Sequence, residues 1–234
     1  SGFLTPEKRK RGQEEEYRVI KRPILQNAFN QGAAPVEKGN LIAITSALAG
    51  EGKTYTALNL AISMSMEVDT TILLVDGDVI RASMSKQLGL GDEPGLMEVL
   101  RGKKELSDVI LASDMPNLKI LPSGRLTENP TELLSSKRMR SLIQELSERY
   151  SDRVILFDAP PLLETTEASV IADMMGQVLV VVEASRTGND KIKSAIEKIN
   201  PGKVIGMILN KNRMYSEGDY YGGYYGSDVT QDEI

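Results

Sequence analysis

Short runs of consecutive apolar residues alternate along the chain with longer segments whose apolar residues recur at helical spacing. Most of the short runs contain no interleaved polar residue, which predicts strands that are buried on both faces of a sheet. The longer segments have the length and the amphipathic spacing of helices. We predict strands at residues 41–45, 71–75, 118–121, 154–157, 177–182 and 204–209, and helices at 55–66, 135–150, 166–175 and 188–199.

The order of these elements predicts the fold class. Strands and helices alternate, which indicates an α/β fold with a doubly wound, mostly parallel sheet and a ligand site at the carboxyl ends of the strands. One more amphipathic helix is predicted at 14–30, where Pro23 is expected to start or kink a turn. Neither the polar arm 1–13 nor the Gly- and Tyr-rich segment 211–234 has a regular period. We therefore predict one domain at 14–210 between a disordered arm and a flexible tail.

Two residue types are missing from the sequence, and their absence narrows the possible chemistry. The chain has no cysteine, so it forms no disulfide or thiolate zinc site, and we expect a cytoplasmic protein. It has no histidine, which excludes a Ser-His-Asp triad and a histidine general base. The net charge of −5 argues against a nucleic-acid partner. The basic cluster at residues 8–11 is either a solvated arm or a contact for anionic lipid or an acidic partner.

Residues 41–54, LIAITSALAGEGKT, join a predicted strand to a predicted helix through a loop of small residues. This order is typical of the phosphate-binding P-loop of a P-loop NTPase. Such proteins are three-layer sandwiches, with helices on both faces of the sheet. In that loop, backbone N–H groups surround phosphate oxygens, Lys53 would reach the β- and γ-phosphates, and the Thr54 hydroxyl would bind Mg²⁺. The usual opening glycine is Ala47 here, and a glycine-rich turn with a surface lysine is the alternative. We predict ATP and Mg²⁺ as ligands, with nucleotide contacts from Ala49, Gly50, Glu51, Gly52, Lys53, Thr54 and Tyr55.

Acidic residues end two of the predicted strands. Asp76 and Asp78 follow the strand at 71–75, and Asp158 follows the strand at 154–157. Carboxylates at the end of a buried strand are costly unless a cation lies beside them, and Mg²⁺-nucleotide would supply that cation. Acids that cap the following helix are the alternative. We predict that the metal is bound by Thr54, Asp76 and Asp158.

Five of the eight tyrosines fall within residues 215–225, among glycines and acids. One interpretation is a flexible aromatic tail, and another is a stacking platform for nucleic acid, which would need basic residues that the segment after Arg213 lacks. We favour a third, in which the hydroxyls accept phosphate on a mobile tether. A flexible chain of about 20 residues spans roughly 25 Å, enough to approach a neighbouring subunit. The predicted phosphoacceptors are Tyr215, Tyr220, Tyr221, Tyr224 and Tyr225.

Together, the P-loop, the Asp76-Gly77-Asp78 and Asp158-Ala159-Pro160-Pro161 strand ends and the tyrosine cluster closely resemble the bacterial tyrosine kinases, most closely the autokinases found beside exosortase-type polysaccharide loci. The resemblance implies that residues 47–54 hold ATP, that Asp76 activates the attacking tyrosine hydroxyl or positions the metal, that Asp78 assists, and that Asp158 orients Mg²⁺. With Lys53, these aspartates are the predicted catalytic residues.

The same resemblance implies a homo-oligomer whose tails are phosphorylated in trans and a role in exopolysaccharide synthesis or export. It also implies activation by a membrane polysaccharide co-polymerase, which would bring the protein to the inner face of the membrane.

The chain departs from the family pattern at two places. The family's Asp-x-Asp-x-Arg motif has its arginine one position earlier than Arg81, so Arg81 is left open between a phosphate contact and a pair with a carboxylate. The family's Glu-x-x-Arg-x-x-Arg helix mediates subunit contacts, and here it is matched by Glu15, Arg18 and Lys21. Because lysine lacks the bidentate geometry of arginine, we expect weaker oligomerisation.

Two other functions fit parts of the sequence. A partitioning or positioning P-loop ATPase would act by nucleotide-dependent dimerisation, but such proteins carry a signature lysine early in the loop, where this chain has ALAG at 47–50, and they lack a tyrosine tail. A non-catalytic, nucleotide-dependent scaffold is the second alternative. Acids retained at the strand ends argue against it.

Overall fold

The structure is a computed structural model and describes residues 11–148 and 153–212. Its elements follow one another in the alternating order that the hydrophobic pattern predicts. They are α1 (Arg11–Ala28), β1 (Leu41–Ser46), α2 (Lys53–Met64), β2 (Thr71–Asp76), α3 (Ser83–Gln87), α4 (Leu96–Leu100), a 3₁₀ turn (Leu106–Asp108), β3 (Leu111–Ala112), β4 (Leu118–Leu121), α5 (Pro130–Leu134), α6 (Lys137–Glu148), β5 (Arg153–Asp158), α7 (Thr166–Met174), β6 (Gln177–Glu183), α8 (Asn189–Ile196) and β7 (Val204–Asn210).

The strands form one sheet in the order β3-β4-β2-β5-β1-β6-β7. All neighbouring pairs are parallel except β3 and β4, which are antiparallel. The α/β, doubly wound prediction is therefore confirmed. The carboxyl ends of β1, β2 and β5 lie side by side, because β5 pairs with β2 on one side and with β1 on the other. This edge of a parallel sheet is where such folds bind ligands.

Both faces of the sheet are covered, as the continuous apolar runs predict. Alternate residues of each central strand enter different cores: Leu41 and Ala43 pack with α4 to α8, whereas Ile42 and Ile44 pack with α1, α2 and α3. Strand β1 is completely buried, so its backbone N–H and C=O groups bond to the neighbouring strands β5 and β6 rather than to water. This pairing fixes the position of the loop that follows β1.

The N-terminal helix differs from its prediction. Helix α1 begins at Arg11, so residues 11–13, which were predicted to belong to a disordered arm, are helical and that boundary is wrong. Residues 1–10 of the predicted arm lie outside the described residues. The break expected at Pro23 is also wrong, because the helix continues to Ala28. Pro23 and Val19, four residues earlier, are both exposed, so the Val19 carbonyl that lacks the Pro23 N–H faces water.

Three further differences concern short segments. Strand β3 was not predicted, because its two residues are too few to show a period. Helices α3, α4 and α5 were also missed, each having five residues. The predicted start of the flexible tail at residue 211 is wrong for Lys211, whose ammonium group donates to the Gly50 carbonyl at 2.7 Å and contacts Glu183 at 3.0 Å.

No helix among the described residues has the length and apolar character needed to cross a membrane.

Candidate active site

The loop between β1 and α2 has the backbone conformation of a phosphate-binding loop. Gly50 and Gly52 have φ angles of +85° and +99°, which L-residues with a side chain adopt only with strain. A Cβ at Gly52 would lie only 2.1 Å from Asn210 Nδ2. Ala47, which replaces the usual opening glycine, is fully buried, and its carbonyl accepts a hydrogen bond from Leu163 N–H. A methyl group is therefore accommodated at the first position of the loop.

Hydrogen bonds within the loop and from two distant residues, Thr187 and Asn210, hold the loop in shape. The Glu51 carboxylate is buried and accepts hydrogen bonds from the loop's own Leu48 N–H, at 2.8 Å, and from the Thr187 hydroxyl. The Asn210 amide donates to the Glu51 carbonyl at 2.9 Å. The loop is thus fixed before any ligand binds, which reduces the entropy cost of binding.

Lys53 stands at the start of α2 among acidic side chains. Its ammonium nitrogen lies 3.0 Å from Asp78 Oδ2 and 3.4 Å from Asp158 Oδ1. The Thr54 hydroxyl donates to Asp158 Oδ2 at 2.7 Å. All four side chains are buried. The sheet and helix α2 therefore bring together the lysine, the hydroxyl and two of the three predicted aspartates.

Asp76 lies beside them at the end of β2, paired in register with Asp158 on β5. One of its carboxylate oxygens, Oδ2, accepts from both the backbone N–H and the hydroxyl of Ser85, at 2.8 and 2.7 Å. The other oxygen, Oδ1, is buried and has no hydrogen-bond partner in the part of the chain that the structure describes. A buried, unpaired carboxylate oxygen is costly unless a cation or a donor joins it.

Burial and mutual repulsion strain this acidic cluster. Burial raises the pKa of Asp158 to about 6; Lys53 opposes this effect, while Asp76 adds to it. Burial likewise raises the pKa of Asp76, against the two Ser85 hydrogen bonds and with a further contribution from Asp78. Burial alone would lower the pKa of Lys53, but Asp158 and Asp78 outweigh it and raise that pKa. Three carboxylates share one ammonium group, that of Lys53, and this excess of negative charge favours binding of a cation.

The loop opens onto a cavity of about 240 Å³. The cavity is lined by Gly50, Lys53, Thr54 and Tyr55 from the loop and the start of α2, and by Arg81 from the segment that follows β2. The Arg81 guanidinium group donates to Glu164 Oε2 at 2.8 Å, so of the two roles left open for Arg81 the structure has the carboxylate pair.

Most of the predicted site residues meet at this one place, and the exceptions can be named. The Glu51 side chain bonds the loop and Thr187 rather than facing the cavity as a ligand contact. The five predicted phosphoacceptor tyrosines lie outside the described residues. Sequence reasoning missed Ser85, Glu164 and Asn210. Each reaches the site from outside the motifs, on α3, on the turn after β5 and at the end of β7 respectively, and none carries a local signal.

Lys21 does not occupy the position expected of a subunit contact. It is buried, donates to the Ser63 carbonyl near the end of α2 at 2.7 Å and pairs with Glu67 at 2.6 Å. Arg18 pairs with Glu15 one turn away on α1. The lysine therefore fastens α1 to α2 within the chain.

The donor set fits magnesium that arrives with a nucleotide. Among the described residues no three His, Cys, Asp or Glu side chains form a complete metal cage. Mg²⁺ seldom needs one, since it combines one or two carboxylates with phosphate oxygens and water. The unpaired Asp76 Oδ1, the Asp158 carboxylate and the Thr54 hydroxyl are oxygen ligands of the kind that it prefers.

Comparison with known proteins places this geometry in a family. The family model described as "AAA domain" (AAA_31) matches residues 39–208. Tyrosine-protein kinase YwqD of Bacillus subtilis is 31% identical over 215 residues, which are 91% of this chain and 86% of YwqD. The chain belongs to the bacterial tyrosine kinase family. It spans only 25% of another relative, tyrosine-protein kinase ptk of Acinetobacter johnsonii, to which it is 33% identical over 77% of its own length.

Solved structures agree with this assignment. The kinase domain of the Escherichia coli tyrosine kinase ETK superposes with a TM-score of 0.71 at 25% identity, covering 88% of this chain and 80% of that one. The chimerical protein CapA2B2 gives 0.72 at 28% identity, with 83% of each chain covered. The septum site-determining protein MinD of Pyrococcus horikoshii, complexed with Mg-ADP, gives 0.60 at 28% identity and covers 72% and 69%. Family membership and the loop geometry together establish a nucleotide-binding P-loop protein of the tyrosine-kinase type.

Proposed function

We propose that the protein is an ATP-dependent protein-tyrosine autokinase. The observation that carries the proposal is the arrangement of Lys53, Asp76, Asp78 and Asp158 at one edge of the sheet, beside a preformed phosphate-binding loop. Relatives named tyrosine-protein kinases support the same reaction class. ATP and Mg²⁺ are the proposed substrate and metal.

The reaction transfers the γ-phosphoryl group of ATP to a tyrosine. The phenolic oxygen forms a bond to the γ-phosphorus while the bond from that phosphorus to the bridging oxygen breaks, and ADP leaves. In this proposal Lys53 and the loop N–H groups bind the phosphate oxygens, where they offset developing charge. Thr54 and Asp158 would hold Mg²⁺, which would supply charge neutralisation at the transferring phosphate, and Asp76 Oδ1 is left for the tyrosine proton.

Asp76 is the proposed acceptor of the tyrosine proton. Among the described residues nothing bonds its Oδ1, while Oδ2 is fixed by Ser85, so the carboxylate can accept a hydrogen bond from the tyrosine hydroxyl without losing its orientation. Phosphoryl transfer depends mostly on positioning and electrostatics, so the absence of histidine is no obstacle.

The proposed acceptors are the tyrosines at 215, 220, 221, 224 and 225, and the proposed oligomer phosphorylates them in trans. Lys211 is bonded to the P-loop, so the chain that leads to these tyrosines departs beside the nucleotide site. We further propose that the modification controls exopolysaccharide synthesis or export at the cytoplasmic face of the membrane, with a polysaccharide co-polymerase as partner. This last step is supported by the family resemblance alone.

Intact-mass measurement after incubation with Mg-ATP tests the transfer. The wild-type chain should gain a ladder of phosphates that map to the tail, and Lys53→Met should gain none. Deletion of residues 214–226 should abolish phosphotyrosine while ATP hydrolysis continues. Phosphate on the Lys53→Met chain, or phosphotyrosine that survives the deletion, would refute the proposal.

The structural similarity to MinD supports a second candidate, an ATPase that acts by nucleotide-dependent dimerisation. The loop sequence ALAG at 47–50 lacks the signature lysine of that class. Sedimentation with and without Mg-ATP, run beside the mass measurement, separates the two. Dimers that form without phosphotyrosine would favour the ATPase.

A further inference from the structure

An acidic side chain from another segment is hydrogen-bonded to the P-loop. Glu164 follows β5, and its Oε1 accepts from the Ala49 N–H at 2.6 Å. Its Oε2 accepts from the Arg81 guanidinium group at 2.8 Å. A single carboxylate therefore connects a loop amide to an arginine that lines the nucleotide cavity.

Backbone hydrogen bonds place Glu164 there. Leu162 N–H donates to the Ser46 carbonyl at 2.8 Å, and Leu163 N–H donates to the Ala47 carbonyl at 3.2 Å. The segment after β5 thus runs along the beginning of the loop and carries the Glu164 side chain to Ala49. The backbone path therefore holds Glu164 beside the loop, within reach of the Ala49 N–H.

Arg81 is tied to the rest of the site as well. Its backbone N–H donates to Asp78 Oδ1 at 3.3 Å, and Asp78 Oδ2 pairs with Lys53. Two cationic side chains, Lys53 and Arg81, and the Ala49 N–H are donors of the kind that bind phosphate. In this structure each of the three bonds a carboxylate of the chain itself.

We propose that Glu164 is an internal competitor of the nucleotide's phosphate groups. It occupies the Ala49 N–H and the Arg81 guanidinium group, and bound nucleotide displaces it, so that Arg81 exchanges a carboxylate for a phosphate. The proposal rests on nucleotide binding in the proposed function and adds a control on the affinity of that same site. Glu164 is only partly buried, with 28% of its side chain exposed, so it can turn towards water when displaced.

Titration with Mg-ADP tests this competition, with Glu164→Gln as the variant. The substitution keeps the size of the side chain and removes the charge that competes with phosphate. We expect Mg-ADP to bind about twofold to fivefold more tightly, the range expected for one charged, partly exposed contact. Glu197→Gln is the matched control, because it makes the same change of net charge at an exposed site where α8 ends, and its affinity should equal that of the wild type.

Arg81→Gln in the Glu164→Gln background tests the exchange. The double variant should lose most of the gain, because the released guanidinium group is then absent. Unchanged or weaker Mg-ADP binding by Glu164→Gln would overturn the proposal, and a gain that survives Arg81→Gln would overturn the exchange at Arg81. Mg-ADP binding needs no phosphoryl transfer, so failure here leaves the kinase proposal standing. A chain that binds Mg-ADP but forms no phosphotyrosine would refute the kinase proposal alone.

Discussion

The acidic cluster predicts that the protein gains stability when one of its site aspartates loses its charge. Asp158→Asn is the sharpest perturbation, because asparagine has nearly the shape of the protonated aspartate. Asp158 is completely buried, and its pKa is raised from the ordinary 3.8 to about 6, first by burial. The folded chain therefore favours the neutral form of this group.

The size of the effect follows from that pKa. A factor of ten in proton affinity corresponds to about 1.4 kcal/mol, so the ionised Asp158 costs the folded state about 3 kcal/mol above pH 6. Near pH 4 most of this cost has disappeared, and well below pH 3.8 the group is protonated in both the folded and the unfolded chain, so that none remains. As pH rises from 4 to 6, the wild type should lose stability that Asp158→Asn retains. At pH 7.5 the variant should melt about 5–10 °C higher.

Urea and thermal unfolding without nucleotide, measured at pH 4 and pH 7.5, provide the assay. Asp92→Asn is the control, because Asp92 is exposed and its substitution should change neither the urea midpoint nor the melting temperature at either pH. Mg-ADP should narrow the difference between Asp158→Asn and the wild type, since a bound cation favours the ionised carboxylate. If Asp158→Asn is no more stable than the wild type at pH 7.5, the account of a strained acidic cluster is wrong.

Three other substitutions test separate parts of the site. Asp76→Asn should retain Mg-ADP affinity and lose transfer of labelled phosphate, and equal loss of both would make Asp76 a metal ligand only. Lys21→Met should lower the free energy of unfolding by about 1–2 kcal/mol, since the Ser63 carbonyl loses a charged donor; an unchanged urea midpoint would contradict this. Gly52→Ala should cost about 2 kcal/mol or more and abolish Mg-ADP binding, because its φ is positive and its Cβ would meet Asn210. Normal Mg-ADP affinity in that variant would contradict the loop geometry.

The central fold was predictable because its signals are local. Uninterrupted apolar runs such as the one that begins at Leu41 can be satisfied only by a sheet with both faces covered, and that is the observed sheet. Asp76 and Asp158 could be placed together because each directly follows a predicted strand. Parallel strands bring their carboxyl ends to one edge, and the two residues are register partners.

The prediction failed where tertiary contacts decide. Pro23 does not end α1, because the affected backbone group lies on the solvent side of the helix. Lys21 fits a subunit-contact motif by spacing, yet its side chain is buried against α2. Glu164 and Asn210 belong to no motif, and only the folded backbone brings them to the P-loop.

A mixing experiment tests the kinase account most directly. The Lys53→Met chain, inactive but with its tail intact, is incubated with Mg-ATP and a chain that lacks residues 214–226 but retains the whole site. The two chains differ enough in mass to be resolved in one spectrum. We predict that phosphate appears on the Lys53→Met chain at its tail tyrosines and that none appears when either chain is incubated alone. An unmodified Lys53→Met chain, in a mixture where the shortened chain still hydrolyses ATP, would contradict phosphorylation between subunits.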